Sequence, residues 1–302
     1  MTLFTLPVYE SFGRALHTRL GGRVKEGRVS VRRFPNGEMH ISAETPVRGE
    51  TCAVIGCTAP PDENLLALLL LAHTLKKEGA NKVVAVVPYL GYSRQDKDER
   101  GESRAIEWLG SAMKASGIDS VVTLDLHSRE DAALFPLPLI DVSPAPALAA
   151  ALRTRPFGGA SFIAPDEGAR ARCERLKREL GGKGEITYFT KRREEKGVTS
   201  ELCGEIRPSV VIVDDILDTG TTLIAALEKL SACGVRSAAV AVTHALFTGS
   251  EWRKLWALGV EALYCTDSVP PSLRSGGSGQ ASVVPAAGLL AEAVLKEAPG
   301  EA

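Results

Sequence analysis

VVIVDDILDTGTTLIAAL, residues 210–227, runs four apolar residues straight into two adjacent carboxylates, Asp214 and Asp215. Asp218 stands four residues after Asp214, and Thr219-Gly220-Thr221-Thr222 leads into an apolar pattern of helical period. A short apolar run closed by a turn reads as a buried strand of a parallel sheet. In such sheets ligands bind beyond the carboxyl ends of the strands. The turn into the helix offers unpaired backbone N–H groups, an anion cradle, with Gly220 allowing close approach and the threonine hydroxyls adding donors. Phosphate in that cradle and sugar hydroxyls on the acids would together hold a sugar phosphate. Helix capping by Asp218 or Thr219 is the plainer alternative. It accounts for one acid, not for an adjacent pair after a strand. No Gly-Lys-Ser/Thr follows, so this is not a Walker loop.

Outward from this segment the same rhythm recurs. Cys52–Ile55, Lys82–Val87, Ser120–Leu124, Ser161–Ala164, Ile186–Phe189, Val210–Val213 and Ala238–Thr243 are strand-like. Leu65–Glu78, Ile106–Ser116, Glu167–Leu180 and Thr222–Ala232 are helical in pattern. Alternation of this kind predicts an α/β fold: two tandem domains, each a mostly parallel sheet flanked by helices. The prolines of Ser143-Pro144-Ala145-Pro146 set the boundary, giving domains 1–145 and 146–302. Residues 285–296 read as a final helix able to pack on the first domain, and Ser272–Ala281 as a flexible stretch.

The chain has 302 residues, 44% of them apolar, enough for two cores. Its 36 basic and 37 acidic side chains nearly cancel, which gives no field for nucleic acid or a membrane surface. The six cysteines contain no C-x-x-C pair and read as reduced thiols of a cytoplasmic protein. The longest apolar run, Leu65–Ala72, is too short to span a bilayer, and the N-terminus lacks a signal-peptide pattern.

VIVDDILDTGTT resembles the phosphoribosyl-pyrophosphate loop of the phosphoribosyltransferase fold. FPNGE (34–38), TAPPDENLLALLL (58–70), VVPYLGYSRQDK (86–97), VTLDLHS (122–128), APDEGA (164–169) and TKRRE (190–194) resemble, in the same order, the ribose-phosphate pyrophosphokinases, also called phosphoribosyl-pyrophosphate synthetases. The matches run over nearly the whole chain. The resemblance implies two phosphoribosyltransferase-type domains, with ATP on the first and ribose 5-phosphate on the second. It implies transfer of the β,γ-diphosphoryl group of Mg-ATP to the sugar 1-hydroxyl, giving phosphoribosyl pyrophosphate and AMP.

The site residues follow from the resemblance position by position. His127 and Asp166 correspond to Mg²⁺-site residues, His127 also lying by the ATP. Lys191 and Arg193 match the lysine and arginine of a catalytic loop, although an isolated Lys-Arg-Arg would ordinarily be a solvated turn. Arg94 resembles the ATP-phosphate ligand, with Gln95 and Asp96 beside the nucleotide. Phe34, Asn36 and Glu38 resemble the adenine site that one subunit lends its neighbour, so a homo-oligomer is expected; a lone Phe would otherwise be a core or hairpin aromatic. Asp214, Asp215, Asp218, Thr219, Gly220, Thr221 and Thr222 are the ribose 5-phosphate site. The chain departs from the family at Asn36, where aspartate is usual, and in the order Gly220-Thr221-Thr222. Lys97–Ala105 also differs, near the family's allosteric phosphate and ADP site, and leaves activation by phosphate unsupported. A non-catalytic regulatory subunit, or a kinase of the same fold acting on a related sugar phosphate, are the competing readings; the intact catalytic set argues against the first.

Overall fold

A computed structural model describes the chain except residues 99, 156, 158, 183–185, 195–196, 274–280 and 299–302; for residue 129, 191–194 and 197–201 it describes the backbone alone. The chain divides into two compact units, Met1–Ser143 with Ala286–Ala302, and Pro144–Pro285.

In the first unit the strands are β1 (Thr2–Thr5), β2 (Lys25–Gly27), β3 (Val29–Arg33), β4 (Met39–Ala43), β5 (Thr51–Ile55), β6 (Lys82–Val87), β7 (Ser120–Leu124) and β8 (Leu139–Val142). Among the described residues one parallel sheet runs β2-β1-β5-β6-β7-β8, and β3 and β4 form a separate antiparallel hairpin. Helices α1 (Glu10–Leu20), α2 (Glu63–Lys77), α3 (Ala105–Ala115) and α4 (Arg129–Leu134) connect them. β5 and β7 are buried along their whole length, as expected of strands covered on both faces. Leu65, Leu68, Leu71 and Leu75 of α2 line one helical face and pack with Val54, Val83 and Val121 in one core. Burying each such side chain stabilises the unit by about 1.5–3 kcal/mol.

The second unit contains β9 (Ser161–Ala164), β10 (Thr187–Glu194), β11 (Gly197–Cys203), β12 (Ser209–Leu217), β13 (Ser237–Ala245), β14 (Val260–Thr266) and β15 (Ala281–Val284). Its sheet runs β11-β10-β9-β12-β13-β14-β15, parallel apart from the antiparallel β10–β11 hairpin. Its helices are α5 (Ala145–Leu152), α6 (Arg170–Glu179), α7 (Thr221–Ala232) and α8 (Lys254–Ala257). Two strands outrun their sequence reading. β12 continues past Val213 to Leu217, because β13 extends alongside it, with Asp214 opposite Val242 and Ile216 opposite His244. The acid pair is therefore inside the second half of the strand. β10 continues past Phe189 to Glu194, because β11 folds back on it with Lys191 opposite Ser200 and Arg193 opposite Val198. Lys191–Arg193 was expected in a loop; its backbone is strand. Of the stretch expected to be flexible, 274–280 lies outside the described residues, while Ala281–Val284 is an edge strand.

The last helix, α9 (Ala287–Lys296), returns to the first unit, where the boundary read from the prolines leaves 286–302 with the second. Leu290, Ala291 and Val294 are buried on this helix. Beyond it, Glu297 pairs with Lys82 at 2.8 Å and accepts from the Ser120 hydroxyl.

Candidate active site

In the second unit the strand order reverses between β9 and β12, the crevice where open α/β sheets hold ligands. Both strands bring acid there. Asp166 follows β9, and its Oδ1 accepts the Ala169 N–H at 3.0 Å where α6 begins. Asp214 and Asp215 stand near the end of β12, with the Asp215 N–H donated to Asp214 Oδ1 at 2.9 Å. Asp215 is buried and faces the Arg172 guanidinium of α6 at 3.9 Å, itself buried. Burial, and then the Asp215 charge, push the Asp214 carboxyl well above the usual carboxylate range; Arg172 opposes this and Asp166 adds to it. Asp215 thus faces a cation, while the Asp214 carboxyl holds its proton more tightly than an ordinary carboxylate.

Beyond the acids the chain turns through Asp218 and Thr219 into α7. Gly220 has φ +86°, and a Cβ there would lie 2.9 Å from the Trp252 Cα. Only glycine combines that conformation with that closeness. The N-cap position of α7 is Gly220 itself, which has no side chain to cap with. Thr219 and Thr221 hydroxyls lie 3.2 Å apart, and Thr221 and Thr222 are exposed. The turn rests on the next strand: Leu246 N–H donates to Leu217 C=O at 2.8 Å, and Thr248 N–H to Asp218 C=O at 3.1 Å. Phe247 and Trp252 pack ring on ring at 4.7 Å beneath it. Strand end, helix start and hydroxyls lie together where the sequence reading expects an anion cradle, with carboxylates beside them.

In the first unit β7 ends at Leu124, and Asp125 takes φ +49°. Leu126 N–H is held by Asp141 Oδ1 at 2.9 Å, leaving His127 exposed at the strand's carboxyl end. Ser128 and Asp131 form a reciprocal capping box on α4, each bond 3.1 Å. Asp131 is fully buried, and burial pushes its carboxyl up to about 6. The Ser128 hydroxyl reaches Asp96 Oδ2 at 3.5 Å, bringing the segment of Arg94, Gln95 and Asp96 to that of His127. That segment turns at Gly91, whose N–H donates to Thr58 Oγ1 at 2.7 Å; a Cβ there would meet the Thr58 carbonyl at 2.8 Å. Tyr92 donates to Asp62, a bond that pushes its hydroxyl up to about 12. Phe34, Asn36 and Glu38 occupy the exposed tip joining β3 to β4. Phe34 is 50% exposed and stacks edge-on with His40 at 5.3 Å, while Asn36 Oδ1 accepts the Glu38 N–H at 3.1 Å.

Lys191 and Arg193 have their backbone in β10 of the β10–β11 hairpin, and their side chains lie outside the described residues. Among the described residues no three His, Cys, Asp or Glu side chains gather as a metal cage, so a cation here would take most of its ligands from substrate oxygens and water. Arg172, Ser128 and Asp131 went unread in the sequence. Arg172 is one basic residue among many in α6 and carries no local signal. Ser128-x-x-Asp131 is a legible capping box.

Comparison with known proteins bears on both units. Residues 1–117 match the family described as the N-terminal domain of ribose phosphate pyrophosphokinase, and residues 160–256 the phosphoribosyl transferase domain. The ribose-phosphate pyrophosphokinase of Campylobacter jejuni is 31% identical over 80% of this chain and 79% of its own length. That of Cereibacter sphaeroides is 30% identical over 96% of this chain and 88% of its own. The phosphoribosylpyrophosphate synthetase of Mycobacterium smegmatis, 24% identical, shares the fold with a TM-score of 0.84 over 97% of each chain. Among the described residues no helix is long and apolar enough to cross a membrane.

Proposed function

The chain belongs to the ribose-phosphate pyrophosphokinase family and is a transferase, and we propose a division of its reaction among the residues described above. The substrates are ATP and ribose 5-phosphate. The sugar 1-hydroxyl oxygen attacks the β-phosphorus of ATP, the bond from that phosphorus to the AMP oxygen breaks, and AMP leaves. The products are phosphoribosyl pyrophosphate and AMP. The observation that carries the reading is the carboxylate pair beside a glycine-led helix start, at the switch point of the second sheet.

The 5-phosphate sits on the amides and hydroxyls of Asp218–Thr222, and the ribose hydroxyls donate to Asp214 and Asp215. Arg172 faces Asp215 on the side of the pair away from the sugar's own donors. In the first unit Arg94 meets the ATP phosphates, Gln95 and Asp96 flank the nucleotide, and His127 lies beside it. Phe34 stacks on adenine, with Asn36 and Glu38 at its polar edge. The exposure of the Phe34 tip supports a shared ATP site in a homo-oligomer. Lys191 and Arg193 meet the charge that develops on the transferring group. Mg²⁺ suits the oxygen-rich substrates, and the family resemblance makes His127 and Asp166 the residues that would help hold it. When bound it neutralises polyphosphate charge. The cysteines described as free thiols support a cytoplasmic setting. The test is purified protein with Mg-ATP and ribose 5-phosphate. AMP and phosphoribosyl pyrophosphate should appear in equal amount, and ADP as product would overturn the assignment.

A further inference from the structure

One face of α6 carries charges that the reaction above does not use. Arg170, Glu174, Lys177 and Arg178 stand at i, i+4, i+7 and i+8, a single stripe of the helix. They line a cavity of about 440 Å³. Its other wall is the base of the β10–β11 hairpin, at Tyr188 and Cys203, which lie opposite one another there.

The charges around this cavity do not balance. Arg170 Nε donates to Glu174 Oε1 at 3.2 Å, and the same guanidinium lies over the Tyr188 ring at 4.8 Å. Those two charges answer each other. Among the described residues Glu174 is the only carboxylate lining the cavity, and neither Lys177 nor Arg178 has an ion-pair partner. Lys177 is the more telling of the two. It is 9% exposed, and a lysine is almost never buried that far without a partner. Its stem is held in place. Gly182 N–H donates to the Lys177 carbonyl at 3.0 Å, and a Cβ at Gly182 would lie 2.9 Å from Lys177 Cγ. The ammonium is not sealed in, so it opens on the cavity. A lysine on an ordinary solvated helix face would instead carry its ammonium out into water.

We propose that this cavity is a second anion site, which takes a phosphate group between Lys177 and Arg178. An arginine fork and a lysine point charge together match the oxygens of a phosphate, and both are unspent here. The volume exceeds what one phosphate fills, so the rest of a small phosphorylated molecule has room beside Tyr188. The lining shares no residue with the loop of Asp214–Thr222. An occupant would bridge α6 to β10, the strand that further on carries Lys191 and Arg193.

The test is calorimetric titration at low salt with inorganic phosphate, and separately with phenyl phosphate. It is run on wild type, Lys177→Met, Lys177→Arg, Arg178→Gln and Gly220→Ala. Losing one charged donor should weaken the site roughly tenfold or more in Lys177→Met and in Arg178→Gln. Lys177→Arg keeps the charge and should retain binding. Gly220→Ala acts at the sugar-phosphate loop and should leave the Lys177-dependent binding in place. Arg178 is exposed, so Arg178→Gln decides the matter even if Lys177→Met does not fold. Tighter binding of phenyl phosphate than of inorganic phosphate identifies the occupant as an ester, and the reverse as the free ion. If Lys177→Met and Arg178→Gln bind both probes as wild type does, the proposal fails. It fails equally if Gly220→Ala alone abolishes binding, since the anion then sits only in the substrate loop. Binding that sodium chloride weakens alike in every variant would make Lys177 and Arg178 plain surface charge, and would also overturn it.

Discussion

Asp214→Asn should make the protein more stable and a worse binder of ribose 5-phosphate. The side chain keeps its size and loses its charge. Its carboxyl is raised by burial and by the neighbouring Asp215, so folding favours its protonated form. A carboxyl raised on folding stabilises fully below its unfolded pKa, about 3.9, and that contribution is lost as pH climbs through the folded value. As pH rises above the unfolded value, wild type therefore loses stability that asparagine, which has no proton to release, keeps. Asparagine can still accept the Asp215 N–H, whose 2.9 Å bond to Asp214 Oδ1 would otherwise be broken. The melting temperature of Asp214→Asn relative to wild type should rise from pH 4 to pH 7. One relieved like-charge contact amounts to about 1 kcal/mol, or roughly 2–4 °C for domains of this size. The cost falls on binding. A hydrogen bond from a ribose hydroxyl to a charged acceptor is worth about 1.5–3 kcal/mol, so ribose 5-phosphate should bind roughly 10- to 150-fold more weakly. Scanning calorimetry at four pH values and titration calorimetry with each substrate read both effects. A variant less stable than wild type at pH 7, or one that binds the sugar phosphate normally, would refute the reasoning.

Gly220→Ala must strain φ and displace Trp252, at about 1–3 kcal/mol; ribose 5-phosphate affinity should fall with ATP affinity intact, and equal loss of both would count against the cradle. Phe34→Ala should raise KM for ATP several-fold without shifting the melting temperature, since the ring is half exposed; unchanged ATP kinetics would remove it from the nucleotide. Lys191→Ala should lower kcat by on the order of 10³ with KM little altered, by analogy with a phosphate-directed arginine finger; a wild-type kcat would make it a surface charge.

The chemistry of the second unit was legible because it is local. An apolar run, a carboxylate pair and a Thr-Gly-Thr-Thr turn report strand, acids and cradle within one dozen residues. Elements whose partners are distant in sequence were not legible. β1 is four residues long and shows its parallel role only beside β5. The true lengths of β10 and β12 depend on β11 and β13, which no window over either strand contains. Arg172 and His244 carry no local signal and went unread. Their meaning comes from α6 facing β12, and from β14 ending beside β13.

The same contrast explains why the site tolerates an arrangement that local rules disfavour. Two adjacent acids near a buried strand end, with one cation between them and a third acid close by, cost stability. A fold keeps such a group only where the surrounding frame over-determines it. Here the frame is β13. It pairs with β12 through the acids to Leu217, carries the turn on Leu246 and Thr248, and is pinned at His244 by Ser268. The acids can then stay in place without the strand end fraying to relieve them. A ribose ring bringing hydroxyl donors to the acids, and a phosphate bringing charge to the helix start, would add further partners there. Stability withheld from the empty site thereby becomes affinity for its ligand, which is why replacing Asp214 should strengthen the fold and weaken the binding together.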